Sequence, residues 1–82
     1  MTTTTTITIG CDPEVFVKSS DGEFFSAHGL VPGSKSTPFA VPGGAVQVDG
    51  MALEFNTDPA ISRAEFVSNV FTVYDNLTSM LP

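Results

Sequence analysis

The chain is poor in residues that bind soft metals or form disulfide bonds, because it has one cysteine, Cys11, and one histidine, His28. A single cysteine excludes an internal disulfide and a zinc cluster built on thiolates. We interpret Cys11 as an inert, half-buried packing residue. For His28 we favour a loop histidine with a structural hydrogen bond, and the open alternative is a base or proton shuttle.

Positive charge is also scarce. The chain has nine acidic residues and only three basic ones, Lys18, Lys35 and Arg63, which gives a net charge of −6. Binding to nucleic acid requires clustered lysine and arginine to neutralise phosphates, so direct nucleic-acid binding is not expected. An acidic surface favours solubility and could steer the protein toward a basic surface on a partner.

Long apolar runs are absent as well. No stretch of the sequence approaches the roughly 20 apolar residues of a membrane span. The threonine-rich start lacks the basic and apolar regions of a signal peptide. The sequence therefore predicts a cytoplasmic protein that does not associate with membranes.

What the chain does have is the composition of a folded domain. Hydrophobic residues make up 41% of its 82 residues, including seven phenylalanines, which is typical of globular proteins. We expect a single domain over residues 1–82, with little room for a catalytic cleft. The threonine run at 2–6 could be a frayed terminus or the start of an edge strand.

The pattern of turn residues divides the chain into four parts. We predict strands and a hairpin at about 5–26, including a strand at 7–9 and a turn at 19–22. A glycine- and proline-rich loop is expected at 28–44, followed by strands at about 45–56 and a helix at about 63–80. Gly50 divides the second strand region, which leaves either a hairpin with a tight bend or one strand with a bulge.

The helix has a recognisable start and an apolar stripe. Ser62 and Glu65 have the spacing of a capping box. The apolar positions of the helix should pack on the sheet; they are Phe66, Val70, Tyr74, Leu77 and Leu81, widened by Val67, Phe71 and Val73. The predicted fold class is α+β, with a small antiparallel sheet of four to five strands and one C-terminal helix on one face. Unless it is polar, the uncovered face should meet a ligand, a partner or a second subunit, which is compatible with a homodimer.

Acidic residues among strand-forming residues are the main candidates for a site. Asp12 and Glu14 point to one face because strand side chains alternate, and Glu54 and Asn56 repeat that spacing. Pairing the two segments would gather four oxygen-bearing side chains into a patch suited to Mg²⁺. Asp49 is a further carboxylate in the second segment, and convergence of Asp12, Glu14, Asp49 and Glu54 would also make a plausible Mg²⁺ site. The alternative is that these are exposed acids on a solvent-facing side of the sheet.

Three motifs, in this order and spacing, resemble a known family. They are Gly-Cys-Asp-Pro-Glu-Val-Phe at 10–16, His-Gly-Leu-Val-Pro-Gly-Ser-Lys at 28–35 and Val-Gln-Val-Asp-Gly-Met-Ala-Leu-Glu-Phe-Asn at 46–56. The chain resembles the N-terminal part of bacteriophage carboxylate-amine ligases, distant relatives of glutamate-cysteine ligase and glutamine synthetase. The resemblance implies a glutamine-synthetase-like sheet, ATP and Mg²⁺, and formation of an amide through an acyl phosphate.

The resemblance also implies roles for individual residues. Asp12 and Glu14 match the acidic pair on the first strand that binds metal in such ligases. Glu54, with Asn56 close by, matches the second acidic strand. Lys35 looks like the family's loop lysine and could bind the cofactor by reaching a phosphate as a point charge, although an ordinary exposed lysine is the alternative.

The chain departs from the family in length and charge. Such ligases run to more than twice this length, and three cations would hold a triphosphate poorly. The sequence therefore predicts a truncated, repurposed module that has no catalytic residues, requires no cofactor and binds another protein. The first alternative is an ATP- and Mg²⁺-dependent carboxylate-amine ligase fragment or subunit that forms an amide bond. The second is a structural phage protein without a site.

For the binding module, the predicted partner is a host protein in the bacterial cytoplasm. Host RNA polymerase is favoured because its basic surfaces receive nucleic acid, so an acidic chain could inhibit or redirect transcription by charge competition. Such a module should depend on exposed aromatic side chains, with Phe24, Phe25, Phe39 and Tyr74 as candidates. Residual catalysis should instead depend on Asp12, Glu14 and Glu54.

Overall fold

A computed structural model of the chain describes residues 7–81. Its elements are the strands β1 (Glu14–Val15), β2 (Val17–Lys18), β3 (Phe24–Phe25), β4 (Phe39–Val41), β5 (Gly44–Asp49) and β6 (Ala52–Thr57), and the helix α1 (Arg63–Ser79). The alternatives for the threonine run at 2–6 lie outside the described residues.

The strands form two small antiparallel sheets. Four of them are arranged in the order β1-β6-β5-β4, and β2 pairs with β3 as a separate hairpin. With the C-terminal helix packed against β5 and β6, this is the predicted α+β class, which is confirmed.

The segment around Gly50 is a hairpin rather than a bulged strand. Asp49 pairs with Ala52, so only Gly50 and Met51 form the loop. Gly50 has a φ of +63°, as the first central residue of a type II′ turn requires. The tight turn fixes which residues of β5 and β6 face each other.

The predicted loop at 28–44 contains a strand, so the loop prediction was wrong at its end. β4 pairs with β5 from Phe39↔Val46 to Val41↔Gly44. Pro42 and Gly43, part of the pattern that suggested a loop, instead form the tight connection between these strands, and Gly43 has a φ of +85°. Gly44 passes so close to the carbonyl of Asn56 that a β-carbon would collide with it.

The strand predicted at 7–9 is reduced to one bridge. Ile9 and Ala60 exchange two backbone hydrogen bonds of 2.8 and 2.9 Å. Gly10 and Pro13 follow closely, and proline cannot donate to a ladder. A regular strand therefore begins only at Glu14.

The helix begins as predicted, with the Glu65 backbone N–H donating to the Ser62 hydroxyl at 3.1 Å. Its buried residues are Val73 and Leu77. The predicted stripe was too wide, because Val67 and Phe71 are 42% and 63% exposed. Tyr74 is 47% exposed, but its ring packs edge-on against that of Phe55, with the ring centroids 6.3 Å apart. Phe71 lies two residues from Val73, which is about 200° around the helix axis at 3.6 residues per turn.

The helix covers one face of the four-stranded sheet. The core on that side contains Val46, Leu53 and Phe55 packed with Val73 and Leu77. Because side chains alternate along a strand, Gln47 and Asp49 of β5 and Glu54 and Asn56 of β6 point to the opposite face. We call this side of the sheet the open face. No helix within residues 7–81 is long and apolar enough to cross a membrane.

Candidate metal-binding carboxylate cluster

The open face is organised around one row of polar residues on three neighbouring strands. Glu14 of β1 lies opposite Glu54 of β6, and Glu54 lies opposite Gln47 of β5. The row exists because the inward residues of β5, Val46 and Val48, are apolar, so Gln47 between them must face outward.

Glu14 and Glu54 face each other at the closest kind of cross-strand pair. The Phe55 backbone N–H donates to the Pro13 carbonyl at 3.1 Å, so the pair one position along, Glu14 and Glu54, is of the non-hydrogen-bonded kind. In such pairs the side chains approach most closely. Like charges placed directly opposite each other destabilise a sheet, so this arrangement needs a compensating interaction.

Asp49 completes a group of three carboxylates. One oxygen from each of Glu14, Asp49 and Glu54 lies within 4.8 Å of the others. Asp49 is on β5, two strands away from β1, and the β6 residue opposite Asp49 is Ala52. We infer that the small side chain of Ala52 leaves the space over which Glu14 and Asp49 meet.

The cluster changes the acidity of Glu14. The pKa of this carboxyl is raised above its ordinary value of 4.5, first by a hydrogen bond with Asp49, then by desolvation and by the charges of Asp49 and Glu54. A shared proton between two carboxyls is a common response to crowded negative charge. A divalent cation would relieve the same repulsion.

Two amide side chains support the cluster from within the sheet. Gln47 is 5% exposed and its amide Nε2 donates to the Glu54 carboxylate. The Asn56 amide Nδ2 in turn donates to the Gln47 carbonyl oxygen at 3.4 Å. The amides therefore form a short relay that ends on Glu54.

Lys35 lies in a loop that is attached to the edge of β5. The Val48 backbone N–H donates to the Gly33 carbonyl at 3.1 Å, and Ser34 forms a bridge with Val48. The positive charge of Lys35 acts on Glu14, where it opposes the rise in the pKa of that carboxyl. The predicted loop lysine is thus near enough to the carboxylate cluster for its charge to act on Glu14.

The structure brings together part of the predicted site. Glu14 and Glu54 are neighbours, and Asn56 contacts the same group through Gln47. Asp12 is exposed and is not one of the three clustered carboxylates. Its neighbours explain this, because the Cys11 carbonyl accepts a hydrogen bond from the Thr57 N–H at 3.0 Å, which places Asp12 opposite Asn56, further from the Gly50 turn than Glu14.

Sequence reasoning places Asp49 among the carboxylates that could converge on Mg²⁺, but not in the four-residue patch, and it does not assign Gln47 to the site. The signal was the alternation of apolar Val46 and Val48 with outward Gln47 and Asp49, together with the tight turn at Gly50 that places Gln47 opposite Glu54. Because the turn remained ambiguous between a hairpin and a bulge, the register of β5 against β6 could not be assigned.

The remaining candidates lie outside the cluster. His28 is exposed, and its backbone N–H donates to the Ser26 hydroxyl at 3.3 Å. Together with Val31, Ser34 and Val48 it lines a cleft of about 370 Å³. Cys11 is half-buried, and its backbone N–H donates to the Thr57 hydroxyl at 2.9 Å.

No family model, curated protein or solved structure matches this chain. The resemblance to carboxylate-amine ligases therefore rests on the three motifs alone and stays a prediction. What the geometry adds is a donor set made only of oxygens, which suits a hard divalent cation such as Mg²⁺.

Proposed function

We propose that this chain carries the Mg²⁺-binding sheet face of an ATP-dependent carboxylate-amine ligase. The observation that carries the proposal is the convergence of Glu14, Asp49 and Glu54 within 4.8 Å on the open face. These residues come from two of the three motifs that resemble the ligases. The convergence is an independent reason to regard those motifs as functional.

The donor set fits this metal. Mg²⁺ binds through a few carboxylates and keeps several water molecules or substrate phosphates as further ligands. Glu14, Asp49 and Glu54 would hold it, and the bound ion would neutralise the negative charge of nucleotide phosphates and of a developing acyl phosphate. Asn56 acts indirectly in this proposal, through its hydrogen bond to Gln47.

Lys35 has a supporting role in the proposal. Its loop is held to β5 beside Val48, and its charge acts on Glu14. An ammonium group at this position could contact an oxygen of a metal-bound phosphate as a point charge. We therefore assign Lys35 to the nucleotide side of the site.

Isothermal titration with MgCl₂ tests the metal site. We expect saturable binding by the unchanged chain and at least tenfold weaker binding after Glu14→Gln, Asp49→Asn or Glu54→Gln. Glu23→Gln, an acid-to-amide change at an exposed hairpin residue, is the matched control and should leave the affinity unchanged. Equal affinity in all four variants would overturn the proposal.

ATP binding in the presence of Mg²⁺ tests the ligase assignment separately. Fluorescence anisotropy of a labelled ATP analogue should show binding that requires Mg²⁺ and weakens after Lys35→Gln. Lys18→Gln is the matched control, because Lys18 lies on the separate hairpin, over the ring of Phe24. ATP binding that is unchanged both by the removal of Mg²⁺ and by Lys35→Gln would contradict the assignment.

A second candidate function is binding to host RNA polymerase. The four aromatic side chains named for this role, Phe24, Phe25, Phe39 and Tyr74, are 63%, 50%, 45% and 47% exposed. Their exposure and the net charge of −6 support a contact with a basic surface. The test is retention of purified bacterial RNA polymerase by the immobilised chain, which should weaken with salt and after Phe24→Ala.

A further inference from the structure

We infer that Gln47 is a positioning residue for the metal site, acting through the carboxylate of Glu54. The inference rests on the proposed metal-binding function and extends it to a residue that does not itself contact the metal. Its basis is the placement of a buried amide on the open face and the direction of its hydrogen bonds.

Burial makes the hydrogen bonds of Gln47 necessary. The side chain is 5% exposed, and a buried amide without partners costs free energy. Both of its ends have partners, since Nε2 donates to Glu54 and the carbonyl oxygen accepts from Asn56. An apolar residue at the centre of this strand would fill the same space without that requirement.

The direction of the relay is fixed by charge. An ionised carboxylate can only accept hydrogen bonds, so Gln47 must turn its amide nitrogen toward Glu54. Its carbonyl oxygen then points toward Asn56, which supplies a donor. The relay therefore delivers two aligned amide dipoles to Glu54 without adding a positive charge that would compete with a cation.

The consequence for Glu54 is a defined orientation. Gln47 donates to Oε2 of Glu54, which leaves Oε1 as the oxygen without this bond. With Oε2 held by this bond, the carboxylate of Glu54 is fixed in rotation and Oε1 is the oxygen that would serve as the ligand. Partners of this kind orient metal ligands, and their loss typically weakens metal affinity about 10–100-fold.

A double-mutant cycle on the 82-residue chain tests this inference, with Mn²⁺ as the probe and electron paramagnetic resonance as the readout. The variants are Gln47→Met, Glu54→Gln and the pair together. Methionine has a similar length and no amide to donate. We expect Gln47→Met to weaken Mn²⁺ binding about 10–100-fold when Glu54 is retained. The same substitution should have little further effect on Mn²⁺ binding in the Glu54→Gln background.

Two controls separate positioning from a general effect on the fold. Asn76→Met removes a different amide, which is half-buried and donates to the Thr72 carbonyl on the helix, and it should leave Mn²⁺ affinity unchanged. Thermal unfolding of every variant reports the cost to stability. A structural role alone would lower stability and weaken Mn²⁺ binding equally in both Glu54 backgrounds.

The outcomes distinguish the two proposals. If the unchanged chain binds Mn²⁺ and Gln47→Met binds it equally well, or if the loss is the same in both backgrounds, the positioning role is wrong while the metal site stands. If the unchanged chain shows no saturable Mn²⁺ binding, the metal-binding function fails and the inference fails with it.

Discussion

Glu14 and Glu54 lie directly opposite each other on adjacent antiparallel strands, at a pair where no backbone hydrogen bond joins the two residues. Asp49 reaches the same point from the far side of β6. Like charges in this position oppose sheet formation, yet the motifs of two separate segments bring them together. The cost is understandable if the cluster serves to bind a cation.

The stability of the metal-free chain should depend on Glu14 at mildly acidic pH. The pKa of Glu14 in the folded state is raised above 4.5. At pH values between 4.5 and the raised pKa, the folded chain therefore binds more protons than the unfolded chain. The contribution of Glu14 to stability is therefore fully present below about pH 4.5 and is lost as the pH rises through the raised pKa. Urea unfolding in the presence of a chelator should show this fall, and Glu14→Gln should remove it.

Asp21 should produce the opposite pH dependence. A hydrogen bond from Ser19 lowers the pKa of Asp21 below 3.8. Its contribution to stability is then present above 3.8 and is lost as the pH falls through the lowered value. Asp21→Asn should flatten the unfolding profile below 3.8 and leave the mildly acidic window of Glu14 unchanged. If Glu14→Gln and Asp21→Asn changed stability over the same pH range, these assignments would be contradicted.

The narrow buried face of the helix can be tested with two substitutions. Leu77→Ala removes a side chain that is 1% exposed and should cost about 2–5 kcal/mol, a large share of the stability of a small domain. Phe71→Ala removes a larger side chain that is 63% exposed, and it should change stability by about 0.5 kcal/mol or less. Urea midpoints measure both, and a cost of Phe71→Ala as large as that of Leu77→Ala would show that the wider stripe predicted from sequence was correct.

Gly33 should be required to hold the loop of Lys35 on the sheet. It has a φ of +94°, and a β-carbon there would collide with the Val46 carbonyl and approach the Phe39 nitrogen within 2.8 Å. Gly33→Ala should therefore cost more than the roughly 1–2 kcal/mol expected for a left-handed residue alone. Gly29→Ala is the matched control, because Gly29 has a φ of +84° with no atom within 4 Å of the added carbon. Equal costs would contradict the close approach.

The fold was largely predictable because its signals are local. Alternation in β5 and β6, the capping serine at Ser62 and the spacing of Val73 and Leu77 each report on neighbouring residues. β4 was missed because it is three residues long and exists through pairing with β5, which leaves little trace in its own sequence. The buried face of the helix was predicted too wide because Val67 and Phe71 are apolar although they are 42% and 63% exposed.

The candidate site was predicted only in part because it depends on register. Glu14 and Glu54 stood out as acids among strand-forming residues, and the sheet places them together. Asp12 shares the alternation of Glu14, but it lies on the side of Glu14 away from Asp49 and stays outside the cluster. Gln47 could be assigned to the site, and Asp49 placed beside Glu14, only after the turn at Gly50 fixed the pairing of β5 with β6.

The position of a bound metal would test the proposed site on the open face directly. A crystal of the chain soaked in MnCl₂, with diffraction recorded near the manganese absorption edge, would locate Mn²⁺ by its anomalous scattering. We expect a peak among Glu14, Asp49 and Glu54, with none at Asp12. A soaked crystal with no peak at the three carboxylates, or with its main peak elsewhere, would contradict the claim that this sheet face binds a metal.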